Sequence, residues 1–218
     1  MRRRISSLLL VLVVAAICQA TVISVNDFES YANTLALKGE WTNTANLTLA
    51  LEATQVHGGT NSMYYSGNTW NTPWYTKTEW RLPGIVWGNE GHGQDWTGTT
   101  QMSVWVKPTA SKGNMKVNLV NNNGDNIYIQ NFGVLPVGNW IELVLDLTVA
   151  DSTGHSLTAI EIANVARIDI VTKKETAVAP TSQDGTNTFY VDDITRVVPE
   201  PATMVILGLG GLLLRRRK

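Results

Sequence analysis

The chain has 218 residues, of which 44% are hydrophobic and 16% charged, and it contains a single cysteine. Its formal net charge of −1 is unevenly distributed, because seven of the seventeen basic side chains lie in the first 20 and last four residues. The part between them carries ten basic and eighteen acidic side chains, a net charge near −8. Such a surface argues against nucleic acid or anionic lipid as a partner and is compatible with neutral sugars and divalent cations.

The first 20 residues, MRRRISSLLLVLVVAAICQA, have the layout of a secretory signal peptide. Three arginines precede an apolar run from Ile5 to Ile17, and the small residues Cys18 and Ala20 form a cleavage site. We expect a signal helix over residues 1–20 that is removed after Ala20; the alternative is an uncleaved anchor. Cleavage removes the only cysteine, which excludes disulfides from the mature chain.

Residues 21–197 are predicted to form one all-β domain. Short runs of alternating apolar and polar residues recur between Gly, Asn, Thr and Pro clusters, with almost no helical periodicity. The clearest runs are QMSVWVKP, MKVNLVN, NWIELVLDL, ARIDIVT and TFYVDDITRV, after NLTLALEA, NSMYYSG and WYTKTEWRL. Joints rich in turn residues, such as NNNGDN (Asn121 to Asn126), indicate an antiparallel sandwich or barrel. The predicted core comprises Trp80, Met102, Val104, Val106, Leu119, Leu143, Leu145 and Val191.

The last 21 residues, VPEPATMVILGLGGLLLRRRK, differ from everything before them. Pro199 and Pro201 stop any preceding structure, a 13-residue apolar run follows, and four cations end the chain. Thirteen helical residues span about 20 Å, less than the ~30 Å hydrocarbon core, so length alone favours a buried or interfacial segment. Terminal arginines that can reach the lipid interface favour a short C-terminal transmembrane helix instead.

The order of these three parts in residues 198–218 resembles the PEP-CTERM sorting signal of bacteria. Val198, Pro199, Glu200 and Pro201 correspond to its sorting motif. The resemblance implies export, transient anchoring in the inner membrane, and processing near the motif by an exosortase, a membrane transpeptidase. It also implies association with extracellular polysaccharide, in the cell envelope or matrix. The alternative is an ordinary tail anchor.

Four further segments resemble those of carbohydrate-binding modules with a galactose-binding-like jelly roll. They are NDFESY, VHGGTNSMYYS, DWTGTTQMSVWVKP and TFYVDDI, spread over nearly the whole of residues 21–197. The resemblance implies an antiparallel jelly-roll β-sandwich of eight or more strands. It also implies a structural calcium ion where the first and last strands meet, and sugar bound on the concave sheet.

Four residues are the calcium-ligand candidates. Asp27 and Glu29 are expected on one face of a strand, and the loop containing Gly59 can turn carbonyl oxygens inward. Alternation with Phe189 and Val191 would point Asp193 into the edge of the core, where a carboxylate needs a cation. The alternative is that these acids are solvated strand ends.

The stretch WYTKTEWRL predicts a sugar-binding face. Tyr75, Glu79 and Arg81 would share one side of this strand, giving a flat ring for stacking and charged groups for bonds to hydroxyls. Side chains expected to join them from neighbouring strands are Trp105, Asn118 and Tyr128. The alternative is that Glu79 and Arg81 form only a surface ion pair.

No residue pattern indicates catalysis. His57, His92 and His155 are scattered among glycine-bearing loops, and no phosphate loop or metalloprotease motif is present. We therefore expect a non-catalytic protein that binds a polysaccharide or another glycan. The alternatives are a structural or adhesive matrix protein without a small-ligand site, and a glycoside hydrolase, which would need two carboxylates in one cleft.

Overall fold

The computed structural model describes residues 20–43, 47–68, 75–85, 93–111, 113–173 and 186–199. The first five strands are β1 (Thr21–Asn26), β2 (Trp41–Asn43), β3 (Leu47–Glu52), β4 (Ser62–Asn68) and β5 (Tyr75–Arg81). The next six are β6 (Gln101–Ala110), β7 (Asn114–Asn121), β8 (Asn126–Gly133), β9 (Ile141–Asp146), β10 (Val165–Lys173) and β11 (Thr186–Val198). Two short helices are α1 (Thr34–Glu40) and α2 (Ala159–Ile162).

The strands form two antiparallel sheets that pack face to face. One sheet has the order β3-β4-β11-β6-β9, with β1 pairing along the second half of β11. The other has the order β2-β5-β10-β7-β8. Many neighbours in each sheet are distant in sequence, so long connections cross between the sheets. This is the jelly-roll sandwich that the sequence predicted.

The core lies between the sheets and receives side chains from both. All eight predicted core residues are at most 2% exposed. On β5 the alternation holds as expected, because Thr76, Thr78 and Trp80 are buried. Trp80 continues an aromatic stack through Trp41 to Phe28, with ring centroids 5.6 and 5.7 Å apart.

Helix α1 is a difference from the sequence prediction. Asn33 caps it by accepting hydrogen bonds from the amides of Leu35 and Ala36, and Leu37 is its only buried residue. Seven residues make two turns, which is too short for a 3.6-residue period to stand out in the sequence. A single helical turn, α2, precedes β10, and its capping box joins Thr158 and Glu161.

The two predicted terminal helices lie outside the described residues. Within the described ranges, no helix is long and apolar enough to cross a membrane. Strand β11 ends at Val198, the first residue of the sorting motif.

Candidate functional site

The outer face of the five-stranded sheet carries the side chains that alternation predicted for β5. Tyr75 and Arg81 are exposed, and Lys77 and Glu79 are half-buried, while the residues between them point into the core. The register places Asp169 of β10 directly opposite Glu79, and Asn118 of β7 on its other side. Polar side chains from three adjacent strands therefore meet on one surface.

Two clefts cross this outer face and share Arg167. The first has a volume of about 290 Å³ and is lined by Tyr75, Lys77, Lys116, Asn118, Gly124, Asn126, Ile129, Arg167, Asp169, Val171 and Lys173. The second, of about 460 Å³, is lined by Glu79, Arg81 and Arg167 together with Gly39, Glu40, Thr42 and residues 82–85. Tyr75, Glu79, Arg81 and Asn118 thus lie on one sheet face, as predicted.

An ion-pair network forms the floor between the clefts. Arg167 Nε lies 2.6 Å from Asp169 Oδ1, and its NH1 lies 3.4 Å from Glu79 Oε2. Lys77 Nζ contacts Glu79 and lies 3.5 Å from Asp169 Oδ2. Burial raises the pKa of Asp169 above its usual range, although Arg167 and Lys77 oppose the shift. The network joins four charged side chains from two neighbouring strands.

Asn118 offers the cleft an unused hydrogen-bond acceptor. Its amide nitrogen donates to Asn126 Oδ1 over 3.2 Å. Its Oδ1 atom is buried and has no hydrogen-bond partner within the described part of the chain. A buried acceptor without a donor costs free energy, which a rotation of the amide toward a ligand hydroxyl in the cleft would recover.

Trp105 does not belong to this face, so its predicted placement was wrong. It points outward, as expected, but β6 belongs to the other sheet. There its indole stacks on His57 at 3.8 Å, and His57 lies 5.6 Å from Trp140. Alternation along a strand tells which side chains point outward, but not from which of two sheets.

Tyr128 was also predicted wrongly, because it is a core residue. It is 1% exposed, and its hydroxyl donates to the Asp146 carbonyl over 2.7 Å. The β7–β8 register pairs Asn118 with Ile129 and places Tyr128 opposite the buried Leu119. A shift of one residue in register moves a side chain to the opposite face, and the sequence did not fix this register.

Four charged residues of the first cleft, on β7 and β10, were missed from the sequence. They are Lys116, Arg167, Asp169 and Lys173. Their signal was present, because each alternates with buried residues in the runs MKVNLVN and VARIDIVTK. Only the strand order, with β10 between β5 and β7, shows that they line the same surface as Tyr75.

The calcium-ligand candidates lie around the loop that follows β3. Asp27 and Glu29 are in a turn after β1 rather than on a strand face, separated by Phe28 with a φ of 61°. Glu29 accepts hydrogen bonds from Thr60 Oγ1 at 2.6 Å and from the Thr60 and Asn61 amides at 2.7 and 2.8 Å. These bonds lower the pKa of Glu29. Asp27 Oδ1 accepts from the Glu29 amide over 3.2 Å.

The late pair of aspartates approaches the same loop from the opposite side. A bulge after Asp192 shifts the alternation, so Asp192 is fully buried and Asp193 is partly exposed, the reverse of the predicted orientation. Asp192 Oδ2 accepts from the His57 and Gly58 amides, and burial raises its pKa. Asp193, with a φ of 42°, places Oδ2 2.7 Å from His57 Nδ1.

At the corner around Gly58 and Gly59, the residues fit a cation through individual oxygen atoms rather than through a cluster of acidic side chains. A Cβ on Gly58 would lie 2.7 Å from Asp193 Oδ2, and one on Gly59 would lie 2.3 Å from Glu29 Oε1. The glycine loop thus sits between two carboxylates. Among the residues that the structure describes, no group of three or more His, Cys, Asp or Glu side chains is placed to hold a metal. A calcium ion here would need loop oxygens as well.

The comparisons with known proteins support both the predicted sorting signal and the predicted fold. Residues 197–218 match the PEP-CTERM protein-sorting motif, which confirms the predicted signal. The match implies export and anchoring by the C-terminal segment before exosortase processing. Among curated proteins, none is similar enough in sequence to count as a match.

Solved structures place the remainder in a fold class, the jelly-roll sandwich of carbohydrate-binding modules. The family 11 carbohydrate-binding module of the cellulosomal cellulase Lic26A-Cel5E of Clostridium thermocellum has a TM-score of 0.55 at 15% identity, covering 84% of this chain and 96% of that one. The Clostridium thermocellum family 11 module in complex with a β-1,3-1,4-mixed-linked tetrasaccharide has a TM-score of 0.52 at 15% identity, covering 80% and 94%. An exo-β-agarase has a TM-score of 0.52 at 14% identity, covering 82% of this chain and 25% of the agarase.

Proposed function

We propose that this protein is an exported, non-catalytic carbohydrate-binding protein whose ligand is an extracellular polysaccharide. The binding surface is the outer face of the five-stranded sheet, at the cleft lined by Tyr75 and Asn118. The observation that carries the proposal is that one cleft is lined by the Asn118 amide, whose oxygen has no hydrogen-bond partner among the described residues, and, farther along, by a tyrosine ring that is 40% exposed. A ring for stacking and an acceptor for hydroxyls are the two contacts that a sugar needs.

The two acids on this sheet face, Glu79 and Asp169, favour sugar binding over hydrolysis. Glu79 and Asp169 are directly opposite each other, which is the kind of pair a glycosidase requires. Asp169, however, is 1% exposed and lies against Arg167 on both carboxylate oxygens. Glu79 in turn contacts Lys77 and Arg167. Both carboxylates are engaged in holding the sheet face, which leaves neither of them positioned beside a glycosidic bond as acid or nucleophile.

The other candidate, a matrix protein without a ligand site, lacks a comparable observation in its favour. Its sandwich would need no cleft and no buried acceptor without a partner. We place the processed product in the cell envelope or extracellular matrix, after transient residence in the inner membrane.

The binding proposal is tested with alanine variants on the two sheets. Tyr75→Ala and Asn118→Ala should each weaken binding of a soluble polysaccharide about tenfold or more, measured by affinity electrophoresis or calorimetry. Trp105→Ala removes a larger aromatic ring from the opposite sheet and should leave binding within about twofold. If Trp105→Ala abolishes binding and the two cleft variants do not, the ligand surface lies on the six-stranded sheet and the proposal is wrong.

We further propose that the corner around Gly58 and Gly59 holds a structural calcium ion. Glu29 and Asp193 would be its carboxylate ligands, with oxygens of the glycine loop completing the shell. A Ca²⁺ ion would draw Asp193 Oδ2 away from His57, its present partner. EDTA should then lower the melting temperature of the protein, and added Ca²⁺ should restore it.

Linkage sets the size of the calcium effect at about 2.7 kcal/mol for a hundredfold excess of Ca²⁺ over its dissociation constant. Asp193→Ala should abolish the calcium dependence, whereas Asp125→Ala, in the β7–β8 turn, should retain it. A melting curve that EDTA leaves unchanged would favour solvated carboxylates at this corner.

A further inference from the structure

The first cleft concentrates positive charge in a negatively charged molecule. Four cations line it, namely Lys77, Lys116, Arg167 and Lys173, against one carboxylate, Asp169. The exported part as a whole has eighteen acidic and ten basic side chains. Two-fifths of its cations therefore lie in one cleft of about 290 Å³. The expectation of neutral sugars was based on the net charge of the whole exported part. That net charge does not describe the local charge of this cleft.

The carboxylates on the face compensate only half of these cations. Arg167 and Lys77 are paired with Asp169 and Glu79. Lys116 and Lys173 make no ion pair within the part of the chain that the structure describes. Lys116 is half-buried and Lys173 is exposed, so at least the Lys173 side chain is open to a ligand.

The register brings these lysines together. Val171 of β10 lies opposite both Lys77 and Lys116 on its two neighbouring strands, and Lys173 is two positions further along β10. With strands about 4.8 Å apart and about 3.4 Å per residue along a strand, three ammonium-bearing side chains surround Val171 within about 10 Å. Like charges at such distances repel one another, and an anion bound among them would relieve that repulsion.

From this arrangement we infer that the ligand is an anionic glycan, one whose sugars carry carboxylate or sulfate groups. The oxyanions would contact Lys116 and Lys173, while sugar hydroxyls would bond to the Asn118 amide, which lines the same cleft. Tyr75 lies directly opposite Lys173, so a ring stacked on the tyrosine places its substituents beside that ammonium group. The inference rests on the proposed function and narrows its ligand class.

Calorimetry of the full chain in a non-ionic detergent tests the inference with three soluble polymers. Polygalacturonate carries carboxylates, dextran sulfate carries sulfates, and mixed-linked β-glucan is neutral. At least one anionic polymer should bind more tightly than the glucan, and its affinity should fall as salt rises from 50 to about 300 mM. The polymer that binds better tells whether the oxyanion is a carboxylate or a sulfate.

A pair of double variants separates this cleft from general charge effects. Lys116→Gln with Lys173→Gln should weaken binding of that anionic polymer at least tenfold. Lys38→Gln with Lys107→Gln removes the same charge elsewhere, from α1 and from the outer face of the other sheet, and should change it by less than twofold. Melting temperatures of both double variants verify folding.

The remaining outcomes separate the two proposals. Binding of the neutral glucan alone, lost in Tyr75→Ala, overturns the anionic ligand and leaves the carbohydrate-binding surface standing. Equal weakening by both double variants shows attraction to the protein at large and also overturns the inference. Failure of all three polymers to bind counts against the binding proposal itself.

Discussion

Trp80 joins the aromatic stack to the sheet that carries the cleft. Its ring is 2% exposed, lies against Trp41, and donates from Nε1 to Glu40 Oε2 over 3.3 Å. Trp80→Ala should therefore lower the free energy of unfolding by about 3–5 kcal/mol, through lost burial and the cavity that remains. Urea denaturation measures the loss. Tyr75→Ala on the outer face of the same strand is the control, and a loss below about 1 kcal/mol for Trp80→Ala would contradict its place in the core.

Asp151 is a buried carboxylate that ties the loop after β9 to β8. It accepts from the Ile129 amide at 2.8 Å through Oδ2, and from Thr153 and the His155 amide through Oδ1. Desolvation acts to raise its pKa, but these hydrogen bonds outweigh it, and the pKa lies below the ordinary value of 3.8. The folded state thus binds this proton less readily than the unfolded chain does.

The sign of the pH effect follows from that lowered pKa. Stability from Asp151 is fully present above about pH 4 and is lost as the pH falls through the folded-state pKa. Asp151→Asn should cost about 1.5–3 kcal/mol at pH 7, because an amide N–H would face the Ile129 N–H. The difference from the parent should shrink below pH 4. Chemical denaturation at several pH values measures it, with Asp125→Asn as a control that should change stability little.

The glycine loop between β3 and β4 is the element on which the corner around Gly58 and Gly59 depends. Gly59 has a φ of 61°, and a Cβ there would meet Glu29 Oε1 at 2.3 Å. Displacing Glu29 would break its three bonds to Thr60 and Asn61. Both backbone strain and this clash oppose any larger residue at position 59.

Gly84 allows backbone strain to be measured without a steric clash. Its φ is 83°, but a Cβ there would meet nothing within 4 Å. Gly84→Ala should cost about 1–2 kcal/mol from strain alone. Gly59→Ala should cost clearly more, by about 1–3 kcal/mol for the lost bonds to a charged group. Thermal unfolding compares the two variants. Equal losses would show that Glu29 moves aside freely and that the corner is loosely built.

At the scale of the whole molecule, the chain has a β-sandwich followed by a segment that matches a protein-sorting motif. The match covers residues 197–218 and so overlaps the end of β11 at Val198. Replacing Pro199, Glu200 and Pro201 by alanine keeps the apolar run and the arginines but removes the motif. This triple variant should accumulate uncleaved in the membrane fraction, while the parent yields a shorter exported species.

Fractionation followed by mass spectrometry measures both products of that experiment. Replacing Arg215 to Arg217 by lysine gives a control that keeps the charge and should be processed normally. The same fractionation and mass for the parent and the triple variant would show that the motif does not direct processing and that the segment acts as a plain anchor.

The amino-acid sequence by itself identified eight of the eleven strands and many of their buried residues. Trp80, Leu119 and Val191 were assigned to the core correctly, because alternation along a strand is a local property that burial enforces. The sorting motif could also be recognised from the sequence, because its three parts follow one another directly along the chain.

The tertiary structure alone decided which outward-facing residues meet. Trp105 and Tyr75 both point outward, but strand order places them on opposite sheets. Register makes Ile129, and not Tyr128, the neighbour of Asn118, and a bulge exchanges the roles of Asp192 and Asp193. Strand order, register and bulges depend on pairings between residues far apart in sequence, which no local pattern encodes. For the same reason the four cations of the first cleft, drawn from three strands, became one site only when the chain was folded.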